Sequence, residues 1–267
     1  MYATHWGLAE LPFRSRLDPR YFHPSPTHEE ALARLHFLVD DRRRLGLLLG
    51  SHGSGKSLVL EVFWQNVRRV GWPAARLAVA GLRPREFLSE LASQFGLWPD
   101  PAARPCELWP LIGDRISEYR YQQLPAIVLL DNADQSEEAV LSYIARLSQT
   151  DMSPESRLTV VLAAVPEGVS RLGEGLLEQV ELRIDLEPWS RAETADYLNA
   201  ALAKAGSDRP LFAEGAVARL HQLAGGVPRR VTHLADLALL AGAGQNLDTI
   251  DAEIVESVYR ELGTVQV

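Results

Sequence analysis

The sequence predicts an open α/β fold, a parallel five-stranded sheet with intervening helices, followed by a small all-helical region. Three observations predict it. Short, mostly apolar runs recur at Leu45-Gly46-Leu47-Leu48-Leu49, Arg76-Leu77-Ala78-Val79-Ala80, Ala126-Ile127-Val128-Leu129-Leu130 and Leu158-Thr159-Val160-Val161-Leu162, with a fifth strand over 180–187. Runs without polar alternation suit strands covered on both faces, as in a parallel sheet. Segments with helical spacing separate them. After Pro188 the strand pattern stops and only helical patterns follow.

Residues 1–26 carry Trp6, Pro12, Phe13, Pro19, Tyr21, Phe22, Pro24 and Pro26, and read as an extended arm packed on the core. Thr27-His28-Glu29-Glu30 reads as a capping box opening a helix to about Arg44. The first strand follows, then a helix over about 55–70 with Leu58, Val59, Val62 and Phe63 as its apolar residues. After the second strand, Pro84 opens a helix reaching about Phe95; residues 98–105 form a proline-rich loop, and a helix over 106–122 ends before Pro125. The third strand leads to helix 136–149, strand 157–164, helix 167–178 and strand 180–187. Ser190-Arg191-Ala192-Glu193 is a second capping box, for a helix to about Ala205, and helices near 214–224, 228–242 and 251–262 complete the chain. The organisation is therefore an arm (1–26), an α/β domain (27–187) and a helical lid (188–267).

Between the first strand and its helix lies Gly50-Ser51-His52-Gly53-Ser54-Gly55-Lys56-Ser57, which fits G-x-x-x-x-G-K-[S/T]. Glycines let the backbone turn tightly, so that several N–H groups converge on one anion. The following helix adds its positive N-terminal end. This pattern predicts a loop binding the phosphates of ATP or ADP, with Lys56 reaching the β- and γ-phosphates and the Ser57 hydroxyl ligating Mg²⁺. Asp131, at the tip of the third apolar strand, is the second candidate ligand of that Mg²⁺.

Composition narrows the alternatives. The 267 residues are 46% hydrophobic, enough for a substantial core, and carry a net charge of −8, which argues against a protein whose main task is coating nucleic acid. The single cysteine, Cys106, excludes an intrachain disulfide and is expected to be a buried thiol. The start lacks the layout of a secretory signal, and no apolar run approaches 18 residues. The expected location is cytoplasmic, with any work at the inner membrane done through a partner. The seven histidines show no metal-ligand spacing. Arg42-Arg43-Arg44 suits the C-terminal end of a helix, and Trp64, Trp72, Trp98, Trp109 and Trp189 are expected in core or interface.

The string Trp6-Gly7-Leu8, Pro12-Phe13, Asp18-Pro19-Arg20-Tyr21-Phe22 and His28-Glu29-Glu30-Ala31-Leu32 resembles the opening of AAA+ ATPases related to general secretion pathway protein A. The resemblance continues through the phosphate loop, Leu129-Leu130-Asp131, Pro188-Trp189-Ser190, Tyr197-Leu198 and Gly226-Val227-Pro228-Arg229-Arg230. It implies a RecA-like P-loop NTPase sheet with a helical lid, nucleotide bound between them, and a sensor arginine at Arg229. It also implies self-association or a protein partner in an envelope assembly. Three positions depart from the family pattern. Asn132 replaces the usual glutamate that polarises water; an amide can orient a water but cannot take its proton. Val165 replaces a polar sensor, and Val180 replaces an arginine for which nearby Arg183 is a substitute candidate. These departures point to a slow ATPase or nucleotide switch, with Lys56, Asn132 and Arg229 as its catalytic candidates. A nucleotide-bound scaffold without turnover and a DNA-targeting transposition-accessory ATPase remain open alternatives.

Overall fold

The computed structural model describes residues 2–13, 17–151, 153 and 155–263. It divides into two compact units. One holds His28–His52 and Lys56–Leu186; the other holds the described residues up to Thr27, Gly53–Gly55 and those from Glu187 onward.

In the first unit, α2 (Pro26–Asp40) leads to β1 (Leu45–Gly50), α3 (Lys56–Arg69), β2 (Ala74–Ala78), α4 (Pro84–Gln94), α5 (Pro105–Tyr121), β3 (Ala126–Asp131), α6 (Glu138–Ser148), β4 (Leu158–Ala164), α7 (Glu174–Leu177) and β5 (Leu182–Leu186). The described strands form one sheet in the order β2-β3-β4-β1-β5, and every pair is parallel. Leu47 stands opposite Leu162 on one side and Arg183 on the other, and Leu130 opposite Leu77 and Leu162. The three inner strands are buried along their whole length, which is why their sequences do not alternate. The edge strands mix buried and exposed residues: in β5, Ile184 and Leu186 point inward while Arg183 and Asp185 are exposed. Phe63, Phe87, Leu88, Leu91 and Leu108 are fully buried in the core of this unit.

Several boundaries differ from the sequence reading for local reasons. Helix α2 starts at Pro26, whose fixed φ suits a first helical turn, and ends before Arg42, which takes a left-handed φ of 55°. The Thr27 hydroxyl donates to Glu193 Oε1 at 3.2 Å. Strand β2 sits two residues earlier than expected; Pro73 does not stop it, because its carbonyl still accepts from the Ile127 N–H at the sheet edge. The expected helix over 167–178 is a 3₁₀ segment, Pro166–Leu172, and the short α7, broken at Gly173 with φ 81° and ψ 147°. Cys106 is exposed rather than buried, because α5 turns Leu108, Ile112 and Ile116 inward and Cys106 lies off that stripe. Trp98, expected in core or interface, is 93% exposed.

The second unit holds α1 (Tyr2–His5), α8 (Arg191–Lys204), α9 (Glu214–Ala224), α10 (Pro228–Gly244) and α11 (Ala252–Gly263). The Ser190 box forms: Ser190 Oγ accepts from the Glu193 N–H at 3.2 Å, and Glu193 Oε2 accepts from the Ser190 N–H at 2.8 Å. The sequence reads the arm as packed on the core; in the structure it is part of the helical cluster. Trp6, Leu8 and Phe13 are buried with Trp189, Leu198, Leu220 and Leu239. Trp6 Nε1 donates to Leu239 O at 2.9 Å, the Ala9 N–H to Ala205 O at 2.8 Å, and the Tyr2 hydroxyl to Asp236. A few short helices bury too little apolar surface alone, and the arm's aromatic residues enlarge their core.

Gly226 gives the Gly226-Val227-Pro228-Arg229 string a physical basis. It has φ 68°, its carbonyl accepts from the Trp189 N–H at 2.9 Å, and a Cβ there would lie 2.2 Å from Trp189 O. Neighbouring Gly225 has φ 62° but open space around it. Gly225→Ala should therefore cost about 1 kcal/mol, for backbone conformation alone. Gly226→Ala should cost about 3 kcal/mol, because rigid backbone blocks the methyl as well. Denaturant titration of the two variants against the parent protein measures the difference.

Candidate nucleotide site

Strand β1 ends at Gly50 and α3 begins at Lys56, so the glycine-bearing motif is the loop between a buried strand and a helix N-terminus. Gly53 and Gly55 have φ of 86° and 103°, values that side chains rarely adopt. Lys56 is only 7% exposed, and its Nζ donates to Gly50 O at 2.6 Å and Ser51 O at 3.1 Å. Ser51 Oγ is buried without a hydrogen-bond partner among the described residues. A buried ammonium folded back on its own loop, beside an unsatisfied hydroxyl, is a donor set that a phosphate group fits. His52 is exposed, so its position in the loop serves the backbone.

The sheet order sets the second half of the site. Strand β4 stands between β1 and β3, and all three run parallel, so the loop and Asp131 reach the same edge. Asp131 is 3% exposed, and its Oδ1 accepts from the Asn132 N–H at 3.0 Å. Ser57 lies in the first turn of α3. One guanidinium nitrogen, Arg76 Nη2, lies 3.4 Å from Ser57 O and 3.9 Å from Asp131 Oδ2, which places these residues around a common point. A hydroxyl and a buried carboxylate are the hard oxygen donors that Mg²⁺ prefers.

Asn132 has φ 56° and ψ 42°, the left-handed region. Asparagine enters it more readily than other side-chain-bearing residues. This gives Asn132 a backbone reason independent of any role with water. Asp134 is 4% exposed, and its Oδ1 accepts from the Val165 N–H at 3.4 Å; a Cβ at Gly168 would fall 2.6 Å from it. Asp134 therefore packs against the end of β4, and Val165, 8% exposed, is part of that packing.

Two arginines complete the sequence candidates. Arg229 begins α10 with its side chain exposed, and its N–H donates to Gly53 O at 3.1 Å. A Cβ on Gly53 would lie 2.8 Å from Arg229 Cβ, so the third position of the motif's four-residue spacer has to be small. Arg183 forms a two-pronged pair with Asp185 along β5, at 2.7–3.0 Å. Sequence reasoning missed Arg76. The available signal was a lone charge in an otherwise apolar strand run.

A phosphate-type loop after the first strand, an acid at the tip of the third and parallel pairing throughout define a P-loop protein of the AAA+ class. A family model described as an AAA domain matches residues 39–172, and the chain belongs to that family. General secretion pathway protein A of Aeromonas hydrophila is 31% identical to it over 245 residues. That match covers 90% of this chain and 45% of the relative, so the chain spans less than half of the relative's length. Among solved structures, Aeropyrum pernix Orc1 in complex with DNA superposes with TM-score 0.67 at 18% identity, over 97% of this chain and 69% of that one. Drosophila ORC bound to DNA gives 0.71 at 15%, over 95% and 64%. The Thermotoga maritima RuvB Holliday junction branch migration motor gives 0.59 at 13%, over 95% and 74%. At such identities these likenesses establish the fold alone.

The geometry at Asn132 makes a prediction that is independent of catalysis. Asn132→Gly should change stability by no more than a few tenths of a kcal/mol, whereas Asn132→Glu should cost about 1 kcal/mol, because a longer side chain is disfavoured at positive φ. Thermal unfolding of both variants without nucleotide reads this directly.

Proposed function

We propose that this chain binds ATP and ADP with Mg²⁺ through Gly50–Ser57 and works as a nucleotide-dependent switch with slow hydrolysis. The observation that carries the reading is the buried Lys56 ammonium turned onto Gly50 O and Ser51 O inside a loop built on Gly53 and Gly55. In this reading Lys56 moves from the loop carbonyls to the β- and γ-phosphates, and Ser57 and Asp131 hold the metal. Mg²⁺ bound there supplies charge neutralisation on the phosphate oxygens. Asn132 can orient water and cannot accept its proton, and Asp134 is engaged with Val165, which supports slow hydrolysis. Arg229, whose backbone already bonds Gly53, reads the presence of the terminal phosphate. The likeness to general secretion pathway protein A supports a role in assembling an envelope or secretion machine, through self-association or a protein partner. No helix among the described residues is long and apolar enough to cross a membrane, which fits a cytoplasmic protein recruited to the inner membrane by that partner.

A DNA-directed role has one observation in its favour. Arg42, Arg120 and Arg157 line one cavity of about 580 Å³, with Tyr121 and Gln123. The net charge of −8 opposes it, and Arg120 is already paired with Asp151 at 2.8 Å.

Calorimetry tests the main reading. Lys56→Ala should remove most ATP affinity, since a buried charge-assisted contact is lost. Ser57→Ala should instead weaken the Mg²⁺ dependence of binding. Equal ATP affinity in parent and Lys56→Ala would refute the site. Turnover should be slow, with a missing general base worth about 10²–10⁴-fold. Nanomolar duplex binding at physiological salt, lost on replacing Arg42 and Arg157, would establish the DNA-directed role instead.

A further inference from the structure

Arg76 is unexplained by the fold. It lies in β2, the strand at one edge of the sheet, and its backbone there is satisfied from outside the sheet. The Arg76 N–H donates to Gln94 Oε1 at 3.0 Å, and Gln94 Nε2 donates to Arg76 O at 2.7 Å, so a side-chain amide from α4 fixes the residue. Register then decides where the guanidinium goes. Ala78 stands opposite Asp131 and Arg76 opposite Leu129. With side chains alternating along strands, Arg76 and Asp131 share a face and are diagonal neighbours, within reach of a long side chain.

Helix α3 packs on β2 and β3 and brings Ser57 and Glu61, four residues apart, to the same place. Arg76 Nη1 pairs with Glu61 Oε2 at 2.9 Å. Arg76 Nη2 lies 3.4 Å from Ser57 O and 3.9 Å from Asp131 Oδ2. Glu61 is itself held, since its Oε1 accepts from Gln65 Nε2 at 2.9 Å. The side chains of Arg76, Glu61 and Asp131 are 18%, 13% and 4% exposed, so solvent screens their mutual field weakly. A fixed cation thus lies 3.9 Å from the Asp131 carboxylate and against the backbone carbonyl of Ser57, the two residues that the proposed function gives to Mg²⁺.

We propose that Arg76 is a positioning residue that sets the magnesium requirement of the nucleotide site. In the nucleotide-free protein its guanidinium partly neutralises Asp131. Metal binding has to overcome that interaction and the repulsion of a nearby cation. Glu61 opposes this by drawing the guanidinium away from Asp131, so the balance between Glu61 and Asp131 tunes the site. The inference rests on the nucleotide and metal reading above.

The test is binding of an N-methylanthraniloyl-labelled ADP to the whole chain, titrated with MgCl₂ from an EDTA baseline. Arg76→Gln should lower the Mg²⁺ concentration at half-maximal enhancement about tenfold, and Glu61→Gln should raise it by a similar factor. Arg76→Lys keeps the charge and should stay close to the parent midpoint. If Glu61 acts through Arg76, Glu61→Gln should have a much smaller effect in the Arg76→Gln background. Opposite signs and this non-additivity are not produced by general loosening of the fold. Midpoints within twofold of the parent for both single variants overturn the proposal while leaving the nucleotide site intact. A parent protein that binds the labelled ADP equally with Mg²⁺ and EDTA overturns the metal reading and this inference together. Should Arg76→Gln not fold, the sign of the Glu61→Gln shift still decides: a lowered or unchanged midpoint rejects the idea.

Discussion

Every described strand of the sheet runs in the same direction, and the candidate site depends on that constraint. Parallel pairing delivers all the carboxyl ends to one edge. β1 delivers the phosphate-type loop there, β3 delivers Asp131, and β4 delivers Val165, whose N–H meets Asp134. The inner strands can be uniformly apolar because helices cover both faces, so polar groups collect where strands stop. Chemistry at the edge and burial in the middle are two consequences of one topology.

Charge inside this unit follows the same rule. Ion pairs on the surface, such as Arg34–Glu30 and Arg104–Glu107, are well exposed and contribute little. The group around Arg76 differs because it is largely buried and its members come from three elements: Glu61 on α3, Arg76 on β2 and Asp131 on β3. Removing one member leaves another charge poorly compensated, which is why such groups respond strongly to substitution. The edge position of β2 makes the arrangement possible. An inner strand would have no place for a guanidinium, and no free backbone edge for the Gln94 amide to fix.

The helical unit is held by a different device. Trp189 joins backbone and side-chain bonding at one point: its N–H donates to Gly226 O and its Nε1 to Ser25 Oγ at 3.0 Å. His23 and Tyr197 pack against its ring, with centroids at 6.0 and 4.8 Å. Burial lowers the pKa of His23 and raises that of Tyr197, as expected of polar rings recruited into an apolar cluster. The unit therefore draws on residues from both ends of the chain.

The sequence by itself determined the strand and helix alternation, the phosphate-type loop, Asp131 at its strand tip, and the change to helices after Pro188. These are local patterns: apolar runs, glycine spacing and caps act within a few residues. Only the tertiary structure decided which residues meet. The arm joins the helical cluster because Trp6 and Phe13 find partners more than 180 residues away in sequence. Cys106 is exposed because the inward stripe of α5 passes it by. Asn132 looks like a lost glutamate in the sequence and like a left-handed backbone position in the structure. Arg76 reaches Asp131 only through strand register and Glu61 only through the packing of α3. Neither is encoded in local spacing, since long-range pairing is fixed by the collective burial of the sheet and not by any short segment within it.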